Sequence, residues 1–121
     1  MNDRGIDTGD RFKKMIRFLK NVRSQADNKI DLTSFEINSI CYDIPARKYS
    51  SAYYLQLVNV MYEKIYSICN NQIESDNLKS VDGTEYVFRN KPDKVHHLRL
   101  LMSEVKNIID DLQSSNKRII Y

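Results

Sequence analysis

Four stretches of the chain repeat apolar residues at spacings of three and four, the mark of a helix face turned toward a core. The first runs from Asp10 to Ala26 through Phe12, Met15, Ile16, Leu19, Val22 and Ala26. Asp10 suits the positive end of the helix dipole, and "ADNKID" then breaks the pattern. The second start is marked by "LTSFEI", where Thr33 is the N-cap and Glu36, three residues on, closes a capping box. Leu32 and Ile37 stand at the positions of a hydrophobic staple around it. This predicts a helix from Ser34 to about Ile44 that buries Phe35, Ile37, Ile40, Cys41 and Ile44, with Pro45 ending it.

A third helix, roughly Ala52 to Asn70, opens at Ser50 or Ser51. It carries the stripe Tyr54, Leu57, Val58, Met61, Ile65, Ile68 and Cys69. Pro92, at a first helical position, opens the last helix. Its stripe is the cleanest: Val95, Leu98, Leu101, Met102, Val105, Ile108, Ile109 and Leu112. Between these two, Asp82-Gly83 is a turn signal flanked by "LKSV" and the strand-forming "TEYVF". A short hairpin packed on the helices is expected there. The pattern therefore predicts an all-α fold: a four-helix domain with a small β-hairpin between helices three and four.

Composition narrows this further. A length of 121 residues suits one domain, and three Gly with two Pro leave few breaks for a many-turned β-fold. No apolar run approaches the roughly 18 residues that span a bilayer, so no membrane is expected as a partner. "MNDRGIDTGD" lacks the apolar core of a secretory signal. Cys41 and Cys69 stand alone, with neither metal-ligand spacing nor a disulfide framework. These features suggest a cytoplasmic protein in a reducing compartment. Residues 1–9 are read as a flexible polar segment, which fits a domain boundary inside a longer protein.

Charge changes the picture more. The formal net charge is +3, but Asp10 to Ala26 alone sums to +5 and the remainder to −2. A local positive patch implies a local anionic partner. On a helical wheel Lys13, Lys14, Arg17 and Lys20 oppose the apolar stripe, with Lys20 nearest the boundary on the Ile16 edge. There its stem can run along buried surface and present the ammonium at a cleft. A solvated face would explain such charges in a generic helix. Yet such a face usually mixes signs, whereas Lys13 and Arg17 form a like-charge i,i+4 pair that an anion would relieve.

Little else carries chemistry. Asp110 and Asp111 are adjacent, and side chains one apart on a helix diverge. No Asp-x-Asp pair occurs, and His96-His97 has no ligand spacing, reading as one partly packed and one exposed histidine. Both cysteines lie on apolar stripes, where a thiol is inert. The eight tyrosines read mostly as core edge. No catalytic residue and no metal ligand is assigned to this chain.

"MIRFLKNVR" followed by "IDLTSFEINSICYDI" resembles the helical C-terminal domain of DNA polymerase β superfamily nucleotidyltransferases. That group includes poly(A) polymerases, oligoadenylate synthetases and bacterial cyclic-oligonucleotide synthases. Their pattern is a basic "vRllKxw" helix, then "lsSYxLExL", a variable hairpin region and a closing amphipathic helix. The later "SVDGTEYVF" and the long final helix are similar to its tail, so the likeness spans Asp10 to Leu112.

The resemblance implies that Lys20 reaches the triphosphate of a bound nucleotide, ATP among the candidates. It implies that Ser34 hydrogen-bonds a phosphate oxygen, that Phe35 stacks on the base, and that Arg17 matches an arginine of varying role. The family's Glu falls on Asn38 here, and Val22 replaces an aromatic. It further implies that a catalytic domain of the same polypeptide holds Mg, because this chain has neither Gly-Ser nor Asp-x-Asp. The alternative is a non-enzymatic helical module that binds nucleic acid or a protein through the basic first helix, with Lys13 and Lys14 as its anion surface. A structural bundle whose charges simply face water is the third.

Overall fold

The computed structural model describes residues 10–50 and 53–120, with side chains through 114. The polar segment expected over 1–9 lies outside the described residues, as does Ser51. The elements are α1 (Arg11–Gln25), α2 (Ser34–Asp43), a 3-10 turn (Ala46–Tyr49), α3 (Tyr54–Asn70), α4 (Gln72–Asn77) and α5 (Pro92–Ile120).

The all-α class and the four long helices agree with the periodicity. All four stripes point inward: Met15, Leu19 and Val22 of α1, Ile37, Ile40 and Cys41 of α2, Met61, Ile65 and Ile68 of α3, and Leu98, Leu101 and Val105 of α5 are buried together. α5 packs chiefly along α3, and α1 packs along α2 and also touches α5. Phe18, absent from the expected stripe of α1, is buried as well and meets Tyr54 edge-on, with ring centroids 5.9 Å apart.

Three expectations are corrected. The hairpin does not form: among the described residues no strand occurs, and Lys79 and Tyr86 make one isolated antiparallel bridge. The turn itself is where Asp82-Gly83 put it. Gly83 takes φ 74°, and its amide donates to the Ser80 carbonyl at 2.9 Å. The Asp82 carboxylate accepts the Ser80 hydroxyl at 2.6 Å and the Thr84 hydroxyl at 2.7 Å. These bonds, that of Ser80 first, hold its carboxyl down to about 2. Leu78, Val87 and Phe88 sink into the core on either side, so the segment is pinned by burial rather than by a ladder.

Second, the α-helices among the described residues number five, because Asn71 caps the short α4 through its side-chain oxygen on the amides of Ile73 and Glu74. Ser50 ends the 3-10 turn, and Tyr53 occupies the N-cap of α3. Third, Phe35 is not core: it is 43% exposed. It lies about 200° around the helix from Ile37, and Glu36 turns inward instead.

Candidate functional site

α1 and α2 run antiparallel, fixed near one end by the edge-on contact of Phe12 with Tyr42 at 6.4 Å. At the other end Arg23 Nη1 donates to the Leu32 carbonyl at 2.7 Å. Eight residues along α1 from Phe12 is Lys20, and eight back along α2 from Tyr42 is Ser34. Lys20 thus stands across from the start of α2, half-buried at the helix edge. Among the described residues no carboxylate lies within ion-pairing distance of it. Its charge reaches the fully buried Cys41, whose thiol burial nonetheless pushes up to about 12. Cys69 is likewise raised to about 11 by burial. Neither thiol is a nucleophile at neutral pH.

Ser34 and Phe35, the first two residues of α2, are exposed. Their amides belong to the first turn, which has no intrahelical acceptors. Asn38, one turn further, keeps a buried Oδ1 with no hydrogen-bond partner among the described residues. The place where the family carries Glu is therefore an open acceptor.

The start of α2 is held with unusual completeness. Thr33 Oγ1 accepts the Glu36 amide at 3.1 Å, and Glu36 Oε1 accepts the Thr33 amide at 2.8 Å, which is the expected capping box. The Asp31 amide donates to His97 Nδ1 at 3.0 Å, and the Asp31 carbonyl accepts Lys94 Nζ at 2.9 Å. The Leu32 amide turns back to the Ile30 carbonyl at 3.0 Å, and the Thr33 carbonyl takes the Ile37 amide at 3.1 Å. Lys94 also pairs with Glu36 at 3.2 Å, behind the capping box. With Arg23 on the Leu32 carbonyl, every backbone polar group of residues 31–33 has a partner. That is the condition for a fixed loop in a partly buried place.

Arg17 and Lys14 go elsewhere. They line a cleft of about 490 Å³ on the other edge of α1, with Phe18, Asn21 and Tyr54. Lys14 Nζ lies 5.4 Å over the Tyr54 ring. Lys13 is exposed. The helix register sets Lys20 opposite the start of α2, which carries Ser34 and Phe35, while Arg17 and Lys14 line a cleft on another face. Sequence reasoning missed Lys94 and His97 as supports of α2. The one signal available was that both flank the Val95 and Leu98 stripe at a spacing of three.

The fold is that of a nucleotidyltransferase helical domain. It matches the structure of the STING-associated CdnE c-di-GMP synthase from Capnocytophaga granulosa with a TM-score of 0.88 and 47% identity, over 94% of this chain and 38% of that one. A second such synthase, from Flavobacteriaceae sp., gives a TM-score of 0.87 and 40% identity, over 94% of this chain and 33% of that one. More narrowly, the chain belongs to the cGAS/DncV-like nucleotidyltransferase C-terminal helical domain family, whose sequence model matches residues 1–112. It is also similar to a c-di-GMP synthase of Lachnospiraceae bacterium, 44% identical over 112 residues, which are 93% of this chain and 32% of the relative. The chain spans about a third of the length of the curated relatives it matches. No helix among the described residues is long and apolar enough to cross a membrane.

Proposed function

We propose that this domain forms one wall of the nucleotide cleft of a cyclic-dinucleotide synthase, facing a catalytic domain of the same polypeptide. Lys20 holds the triphosphate, Ser34 donates to a phosphate oxygen, and Phe35 lies against the base. The observation that carries the reading is the half-buried Lys20 ammonium, free of any carboxylate among the described residues, set across from the exposed Ser34 and Phe35. An ammonium, a hydroxyl and a flat ring are the groups that a phosphate and a nucleobase need. The relatives are named c-di-GMP synthases, so guanosine triphosphate, rather than ATP, is the nucleotide expected here. Such an enzyme works in the cytoplasm, where nucleoside triphosphates are made.

Among the described residues no three His, Cys, Asp or Glu side chains gather. In this reading the magnesium belongs to the catalytic domain. The task left to this chain is to bind and orient. In the polypeptide carrying both domains, Lys20→Ala raises KM for GTP about ten- to a hundredfold, the value of one hydrogen bond to a charged group. An unchanged KM with an intact circular dichroism spectrum overturns the assignment.

The cleft of Lys14, Arg17 and Tyr54 supports a second, outer role: a cationic, aromatic edge along which a polyanion lies. Lys13→Glu with Arg17→Glu then abolishes salt-dependent retention on heparin. Retention equal to wild type leaves these residues as solvated charge.

A further inference from the structure

We infer that His97 is a positioning residue for this cleft. Its neutral imidazole fixes the segment that aims Ser34 and Phe35, and its protonation releases that segment. The inference rests on the nucleotide-cleft reading above and extends it to a group 66 residues distant from Asp31.

The argument starts from one peptide. Asp31 is gripped at both ends by α5, its amide by His97 Nδ1 at 3.0 Å and its carbonyl by Lys94 Nζ at 2.9 Å. Residues 94 and 97 are one turn apart, so both grips come from the same face of a long, well-packed helix. Three residues after Asp31 comes Ser34. Leu32 and Thr33 between them have no free backbone polar group, so two ordered peptides join Asp31 to the first turn of α2.

To accept an amide hydrogen, Nδ1 must be unprotonated, with the imidazole proton on Nε2. Adding a proton turns Nδ1 into a donor aimed at another donor, and the contact breaks. The other charged groups facing this peptide are the carboxylates of Asp31, on the segment itself, and Glu36, on α2. The cations are Lys94 on α5 and Arg23 on α1, the latter acting through the Leu32 carbonyl. Of the side chains around this peptide, imidazole is the type whose charge ordinarily changes between pH 5 and 8. His96, whose ring meets that of His97 edge-on at 5.6 Å, is exposed and makes no bond to the segment in the structure. His97 is thus the imidazole that holds the segment.

The test uses the two-domain polypeptide, with KM for GTP and kcat measured from pH 5.5 to 8.5. For wild type, KM rises toward the acid end of this range, while kcat at saturation is little changed. His97→Asn places an amide oxygen close to where Nδ1 stood. It keeps the high-pH KM of wild type and shows no rise of its own in acid. Taking the ratio of wild type to His97→Asn removes the titration of the nucleotide's phosphates. His97→Ala raises KM about three- to tenfold at every pH, the value of one lost hydrogen bond, and His96→Ala follows wild type.

If Lys20→Ala raises KM but His97→Ala and His97→Asn both retain the wild-type value and pH profile, the inference is overturned and the cleft stands. If Lys20→Ala has no effect, the cleft reading falls. The contact itself is then read in this chain by NMR. An Asp31 amide signal that titrates with the His97 ring supports it, and one indifferent to that titration overturns it.

Discussion

Ser75, 3% exposed, carries a buried hydroxyl that has no hydrogen-bond partner among the described residues. Apart from Asn38 Oδ1, the other buried polar side chains are matched. Ser39 Oγ donates to the Phe35 carbonyl at 2.9 Å, Ser80 to Asp82, and the Tyr49 hydroxyl to the Cys41 carbonyl at 2.6 Å. An unpartnered buried hydroxyl costs about 1–3 kcal/mol, and Ala is also the better helix former. Ser75→Ala is therefore expected to stabilise the chain by about 1 kcal/mol, read as a higher denaturant midpoint at unchanged slope. A lower midpoint would show that the hydroxyl has a partner. At this scale the sequence was informative about faces and silent about neighbours. Periodicity put Lys20 at the rim of the α1 stripe, and there it is. The spacing could not say that Lys94 and His97 would meet Asp31, because those bonds join residues 63 and 66 positions apart.

Helix starts with a chemical signature were legible, and those made by context were not. The Thr33–Glu36 box formed as read, because both partners lie within one turn and need no tertiary contact. α4 has a mostly polar sequence, "QIESDN", with no apolar period to reveal it, and depends on the Asn71 cap. The Asp82-Gly83 turn was equally local and equally correct. Strand pairing around it had to compete with burial of Leu78, Val87 and Phe88, and burial won. The capping box gives an element-scale prediction. Thr33→Ala costs about 1 kcal/mol, and Thr33→Ser, which keeps the oxygen, costs much less. Because Ser34 and Phe35 begin where that cap ends, the Ala variant also weakens GTP binding by the two-domain polypeptide. Calorimetry on both variants checks the order, and equal stability of Ala and Ser would mean that the tertiary grips alone hold the turn.

The molecule as a whole is joined along the seam of α3 with α5, to which α1 and α2 add a second layer. Leu101 sits in the middle of that seam at 0% exposure, with Met61, Ile65 and Cys41 equally closed in the same core. Truncating such a side chain costs about 2–5 kcal/mol through lost transfer energy and the cavity left behind. That is a large share of the roughly 5–15 kcal/mol that holds a domain folded. The two thiols report where the loss appears. Cys41 lies on α2, wholly buried, and its thiol is raised to about 12 by burial, so it reacts only from an opened state. Cys69 is 6% exposed in the last turn of α3, where local fraying suffices. A thiol-specific chromogenic reagent should therefore modify Cys69 before Cys41 in the native protein. Leu101→Ala should accelerate Cys41 at least about thirtyfold, since each 1.4 kcal/mol is a factor of ten in the open population, and accelerate Cys69 less. Equal acceleration of both would mean that the end of α3 opens only with the whole molecule. An unchanged Cys41 rate would mean that α2 opens independently of the seam, and that the cleft wall is a separate cooperative unit.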